Sequence, residues 1–199
     1  DWRRRLEYRS LDKGEEKNML IKLTDQNDQT RGGTQWGVGV IHGPTSGKGP
    51  LCTSAWLHLY EGLGVAILHN PRGADFQNPH AWEARATIGQ REGLKAGTRR
   101  LTTIRRIDYH PPSTEQLVTV AILLAFDVYR PASDNGRWGA WAINWLSGED
   151  RSRKSAAKAA AEAAADAADA RIAYRAADAA ADEKYVKHVD AVACAVFGY

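Results

Sequence analysis

The sequence has few cysteines, a single methionine and no long apolar run, and each scarcity limits what the protein can be. The two cysteines, Cys52 and Cys194, lie far apart and suggest no disulfide framework. The longest apolar run, residues 117–126, contains a threonine and is too short to cross a bilayer as a helix. No apolar signal-peptide core follows the charged first residues. We therefore expect a cytoplasmic protein without a membrane partner.

Excess charge of either sign is also lacking. The formal net charge is +3, and charged residues make up 26% of a chain of 199 residues. Basic residues outnumber acidic ones in residues 1–106, which permits contact with nucleic acid without favouring it. The composition, 43% hydrophobic, is typical of a globular protein with a sizeable core.

Met19 is the only methionine, and the polar segment Lys13–Asn18 directly precedes it. Residues of this segment have purine-rich codons, as a bacterial ribosome-binding site read in frame would give. We predict that the biological start is Met19 and that residues 1–18 are a flexible leader of non-native origin. A genuine polar arm is the alternative.

Residues 19–112 are predicted to form a β-rich α+β domain around a small mixed or antiparallel sheet. Strand-forming residues bounded by Gly and Pro indicate strands, and one apolar segment before Asn-Pro indicates a short helix. The predicted strands are Leu20–Leu23, Gln35–Ile41, Ala55–Tyr60 and Arg99–Ile107, a further element is Ala81–Thr87, and the helix is Leu63–His69. Paired arginines at both ends of the last strand favour an exposed sheet edge.

Two amphipathic helices that pack on this domain are predicted over residues 113–148. Ser113 and Gln116 fit a capping box, and apolar residues follow Gln116 at helical spacing. A second helix carries an indole stripe at Trp138, Trp141 and Trp145. Residues 149–199 are predicted to be an Ala-rich helical tail, whose small side chains allow close approach of another helix. That helix is either the Trp138–Leu146 region of the same chain or a helix of a second subunit, which would make a homo-oligomer.

The Gly-rich segment Gly43–Gly49 is the first candidate binding site. It lacks the spacing of a phosphate-binding P-loop, and Gly49 stands where a hydroxyl residue would hold magnesium. Phosphate binding at Lys48 is the functional interpretation, and a flexible loop is the structural one. His42, Cys52, His58 and His69 lack metal-ligand spacing, so we predict no metal site.

Aromatic and polar residues give the second candidate. His58 and Tyr60 alternate on a predicted strand, so both side chains lie on one face. Such a surface either stacks a base or nicotinamide ring or forms the half-buried rim of a sheet. Other members of the set are Trp36, Trp56, Glu61, Trp82 and Glu83. The residues predicted to bind a ligand are Trp36, His42, Lys48, His58 and Tyr60.

Several short motifs resemble an uncharacterised family of phage, prophage and metagenomic sequences. They are Gln35-Trp36-x-Val38-Gly39, Leu51-Cys52, Trp56-Leu57-His58-x-Tyr60, Asn70-Pro71, Trp82-Glu83 and the segment Trp145–Ser152 before the Ala-rich tail. The resemblance spans most of residues 19–182. It implies a phage-derived protein of the host cytoplasm but no particular activity.

A second, more distant resemblance is to the ADP-ribosyltransferase core. His42-Gly43 and the later His58 and Tyr60 look like the histidine and aromatic residue with which that core binds NAD. The resemblance implies a NAD-dependent transferase with His58, Tyr60 and Glu83 as catalytic residues. The interval from His42 to Tyr60 is shorter than the family pattern, and no glutamate is identifiable as the catalytic one.

The favoured interpretation is a non-enzymatic accessory protein that binds a small nucleotide-type ligand or a bacterial protein, without a cofactor. It depends on the lack of a convincing catalytic set. The NAD-dependent transferase is one alternative. A toxin-immunity-like interaction protein, suggested by the resemblance of the Ala-rich helices to such proteins, is the other.

Overall fold

A computed structural model describes residues 19–70, 73–128, 137–155 and 183–199. Their strands and helices make an α+β protein, as the sequence predicted. The strands are β1 (Leu20–Thr24), β2 (Gln29–Thr30), β3 (Thr34–Gln35), β4 (Ile41–His42), β5 (Leu57–Leu59), β6 (His80–Ala86), β7 (Gln90–Glu92), β8 (Lys95–Thr98) and β9 (Leu101–Ile107). The helices are α1 (Leu63–His69), α2 (Thr114–Val128), α3 (Arg137–Ser147) and α4 (Glu183–Phe197).

All strand pairs are antiparallel, and seven strands follow one another around a common interior. The sheet β1-β6-β9-β4 and the sheet β5-β8-β7 meet where the Ile21 and Tyr60 backbones exchange two hydrogen bonds, of 2.8 and 2.9 Å. The strand order is therefore β4-β9-β6-β1-β5-β8-β7. A separate hairpin, β2-β3, follows β1.

The interior of this curved sheet is apolar along most of its length. Its core consists of Trp36, Leu59, Ala84, Ala96 and Leu101. Leu20 of β1 packs against these residues, so the alternating residues Lys22 and Thr24 also face the interior. Ile21 and Leu23 are buried on the opposite face of β1, towards α1. Strand β1 is consequently covered on both faces.

The last helix, α4, belongs to the same compact unit as the sheet. This unit contains residues up to 111 and from 181 onwards, and α4 packs along α1. Both helices have buried apolar residues. These include Val65 and Ala66 in α1 and Val189 and Ala193 in α4. The predicted Ala-rich tail thus ends in a helix of the N-terminal unit. Residues 156–182 of that tail and residues 1–18, predicted to be a leader, lie outside the described residues.

The second unit, residues 112–180, contains α2 and α3. The predicted capping box is confirmed, because the Gln116 backbone N–H donates to Ser113 Oγ at 3.2 Å and the Ser113 N–H donates to Gln116 Oε1 at 2.8 Å. Ile122 of α2 packs with Ala142 and Trp145 of α3, which confirms the buried face of the second helix.

Three details of the sheet differ from the sequence prediction. The segment Gln35–Ile41 is not one strand, because Gly37–Val40 forms a turn in which Gly39 has φ +74°. The strand β9 is not at an edge, since it pairs with both β6 and β4. The β7-β8 hairpin was not predicted. Its first strand is short and polar, and so lacks the alternation that marks a strand.

Candidate functional site

Lys22 is the most unusual residue of the sheet interior. Its side chain lies on the interior face of β1 with only 7% of its surface exposed. The ammonium group lies 5.0 Å from the centre of the Trp36 ring and donates one hydrogen bond, to the His58 carbonyl oxygen at 2.9 Å. Among the described residues, no carboxylate forms an ion pair with it.

Burial of this amine has a direct electrostatic consequence. Loss of hydration disfavours the charged form and lowers the pKa of Lys22 to about 8. The ammonium form therefore still predominates at neutral pH, inside the protein and without an ion-pair partner in the described part of the chain. A cation in such a place is costly unless an anion joins it.

Trp82 stands directly across from Lys22 on β6, so both side chains lie on the same face of the sheet. Its indole Nε1 is buried and has no hydrogen-bond partner among the described residues. A buried donor without an acceptor is rare in proteins. Lys22 and Trp82 therefore have more N–H donors than the described residues around them offer as acceptors.

Asp28 connects this region to the protein surface. Its carboxylate accepts hydrogen bonds from His80 Nδ1, at 2.7 Å, and from the Arg106 guanidinium. The Arg106 guanidinium lies 5.1 Å from the centre of the Trp82 ring. Asp28 itself has a left-handed backbone with φ +59°, and its carbonyl accepts from the Trp36 N–H at 2.8 Å. We call the connected residues Lys22, Asp28, Trp36, His80, Trp82 and Arg106 the polar cluster.

Two predicted ligand residues, Trp36 and His42, lie in or beside the polar cluster. Their rings meet edge to face at 4.5 Å, and Trp36 Nε1 donates to Thr30 Oγ1 at 3.0 Å. His42 Nε2 lies 2.8 Å from the Gln35 carbonyl oxygen. Trp36 is almost fully buried, so protein groups rather than solvent surround its ring.

His58 and Tyr60 lie on the other side of β5. Leu59 packs with Trp36, and the alternation of the strand directs its two neighbours away from that core. His58 Nε2 contacts the Leu51 carbonyl, and burial lowers the pKa of His58. The Tyr60 hydroxyl lies 3.4 Å from His69 Nδ1, and burial raises the pKa of Tyr60 to about 12. The structure therefore separates this pair from Trp36 and His42.

Glu83 and Tyr60 lie on either side of Ile21, across three neighbouring strands. Ile21 of β1 pairs with Glu83 of β6 on one side and with Tyr60, next to β5, on the other. Its carboxylate accepts from Arg105 Nε at 2.6 Å. Lys48 is exposed in the loop after β4. The other members of the predicted aromatic set are also dispersed. Trp56 Nε1 donates to the Gly49 carbonyl at 3.1 Å, and Glu61 is buried in a two-point ion pair with Arg91.

Four members of the polar cluster were not singled out from the sequence as site residues. They are Lys22, Asp28, His80 and Arg106. Only the lysine has a local signal, since a charged residue within Leu20-Ile21-Lys22-Leu23 interrupts an apolar strand. The other three come together across 52 and 78 positions of the chain, which no local pattern reveals.

Within the described part of the chain, no three His, Cys, Asp or Glu side chains are grouped closely enough to hold a metal ion. None of the described helices is both long and apolar enough to span a membrane. Comparisons with protein-family models, with curated proteins and with solved structures find no match to this chain.

Proposed function

We propose that this protein binds a small nucleotide-type ligand at the polar cluster, with an anionic group of the ligand next to Lys22. The observation that carries the proposal is the buried ammonium of Lys22, which no described carboxylate neutralises. Its single hydrogen bond leaves two N–H donors for a ligand. An anion at this place would compensate the buried charge, and its electrostatic interaction with Lys22 would be stronger than the same interaction at the surface.

Trp82 and Arg106 support an anionic ligand rather than a neutral one. The unpaired indole Nε1 of Trp82 requires an acceptor, and a phosphate oxygen is a strong one. Arg106 contributes a planar guanidinium of which one N–H group donates to Asp28. Guanidinium groups of this kind bind phosphate oxygens in a two-point geometry. Residence in the host cytoplasm, where nucleotides are abundant, is part of the proposal.

The test is a calorimetric titration of the full chain with ADP, AMP, inorganic phosphate and adenosine. We expect binding of the phosphorylated compounds and no binding of adenosine. Lys22→Met should abolish binding, because it removes the buried cation and keeps the aliphatic volume. Lys48→Met is the matched control, since it removes a lysine from the exposed loop.

The possible outcomes separate the candidate sites. Binding that survives in Lys48→Met and is lost in Lys22→Met supports the proposal, provided that both variants melt cooperatively. Loss of binding in Lys48→Met alone would place the phosphate in the Gly-rich loop. Absence of binding to all four compounds would overturn the proposal and favour a bacterial protein as the partner.

A further inference from the structure

The His80 imidazole and the Asp28 carboxylate form a hydrogen-bonded pair. The proposed binding of an anion beside Lys22 does not need this pair. Asp28 Oδ1 lies 2.7 Å from His80 Nδ1, and the other oxygen, Oδ2, is held by Arg106. A carboxylate at Nδ1 fixes the proton on that nitrogen and leaves Nε2 as the basic atom of the neutral ring. Among the described residues, Nε2 of His80 has no hydrogen-bond partner, and 28% of the side chain is exposed.

The position of this pair relative to Trp82 follows from the strand register. His80 and Trp82 alternate on β6, so both side chains lie on the interior face, opposite Thr24 and Lys22 of β1. Two positions along an antiparallel strand span about 7 Å. An anion held near Trp82 and Arg106 would therefore lie one side-chain repeat from the His80 imidazole, on the same face of the sheet.

We propose that the polar cluster also hydrolyses a phosphate ester or anhydride, with His80 as the general base. This inference rests on the proposed function, because the phosphorylated ligand must first bind beside Lys22. A water molecule would give a proton to His80 Nε2 while its oxygen forms a bond to phosphorus. The bond from phosphorus to the leaving oxygen then breaks with its electron pair on that oxygen, which solvent protonates where needed, and the protonated imidazole releases its proton to solvent.

The remaining residues of the cluster have distinct parts in this step. Lys22 and Arg106 offset the negative charge that gathers on the phosphoryl oxygens, which is the main electrostatic requirement of phosphoryl transfer. Asp28 is a positioning residue, since it contacts the imidazole and the guanidinium rather than the phosphate. Its left-handed backbone at φ +59° places one carboxylate between the imidazole and the guanidinium.

The experiment measures phosphate release from ADP and from p-nitrophenyl phosphate by the full chain, with binding followed in parallel. His80→Asn is the informative variant, because its amide can still donate to Asp28 from near the place of Nδ1 and carries no base at the place of Nε2. We expect its kcat to fall at least about 100-fold with KM unchanged. Asp28→Asn should also lower kcat more than it raises KM.

His110→Gln is the matched control, since His110 is exposed and its described contact is through the backbone carbonyl. Its kcat should equal that of the wild type. Binding without phosphate release by the wild type would overturn the hydrolysis and leave the proposed function standing. Failure to bind would overturn both. Release at equal rates by wild type, His110→Gln and His80→Asn would also overturn it, because the activity would not depend on His80.

Discussion

The Asp190 carboxylate of α4 accepts a hydrogen bond of 3.0 Å from the Val65 backbone N–H of α1, across 125 positions of the chain. The residue that precedes α1, Gly62, has no side chain with which to cap the helix. Asp190 therefore satisfies a free N–H group at the start of α1 that a local Ser, Thr or Asp would usually satisfy. Burial raises the pKa of Asp190, whereas the backbone hydrogen bonds oppose that rise. The contact fixes α4 on α1.

Gly64→Ala is expected to loosen this contact. A Cβ atom at Gly64 would lie 2.7 Å from the Ala193 Cβ and 3.0 Å from the Asp190 carbonyl oxygen, so α4 would have to move outwards. We expect a loss of about 1–3 kcal/mol in the free energy of unfolding, in spite of the better helix propensity of Ala. Urea unfolding followed by circular dichroism measures it. Gly37→Ala is the control, because its Cβ would make an ordinary contact of 3.5 Å, and an equal loss there would contradict the explanation.

Lys22→Met is expected to change how stability depends on pH. The pKa of Lys22 is lowered to about 8 in the folded protein, so the unfolded chain binds more protons between about pH 8 and 10.5. The wild type should therefore gain about 2 kcal/mol relative to Lys22→Met as the pH rises from 7 to 9.5. At pH 7 the Lys22→Met variant is stabilised because it does not bury a charge. It also loses the hydrogen bond to the His58 carbonyl, which offsets part of that stabilisation. The pH dependence is consequently the decisive quantity.

Thermal or urea melts of the two proteins at several pH values would measure this difference. Lys48→Met, which removes an exposed lysine, is measured in parallel as the control. A flat difference for Lys22→Met would mean that the amine is hydrated in solution.

The affinity for ADP should fall as the pH rises above about 8. An anion beside the Lys22 amine favours its charged form, so the bound state keeps a proton that the free protein loses above its pKa of about 8. The phosphate groups are already fully ionised in this range. Kd should therefore rise by up to about tenfold per pH unit between 8.5 and 10. A Kd that stays constant over this interval would place the ligand away from Lys22.

We expect the wild type to leave the nicotinamide–ribose bond of NAD intact. Glu83 and Tyr60 lie on one face with Ile21 between them, about two strand spacings or 9–10 Å apart, and the Tyr60 hydroxyl contacts His69. Chromatography of NAD after incubation with the protein is the measurement. Consumption of NAD that disappears in both Glu83→Gln and His58→Ala, with unchanged melting temperatures, would instead support the transferase-like interpretation.

Local patterns predicted the fold class and several elements well. The first strand, the helix Leu63–His69 and the capping box at Ser113 depend on neighbouring residues, and all three are present in the structure. The turn at Gly37–Val40 was misjudged, because strand-forming side chains around two glycines gave a stronger signal than the glycines themselves.

The candidate site was harder to predict because it depends on tertiary contacts. Ile21 and Leu23 mark one face of β1 as buried, and the usual alternation then puts Lys22 in solvent. In the structure α1 covers one face of this strand and the curved sheet encloses the other. Sequence patterns cannot show that second layer, and they cannot show that Asp28 meets His80 and Arg106.

The place of α4 in the N-terminal unit has a consequence for how the protein is made. Strands β1–β9 and α1 leave the ribosome well before α4, the helix that covers α1. At about 5–20 residues per second, the roughly 75 residues between β9 and α4 take about 4–15 s to synthesise. During that interval the apolar side of α1 lacks the helix that covers it in the folded protein.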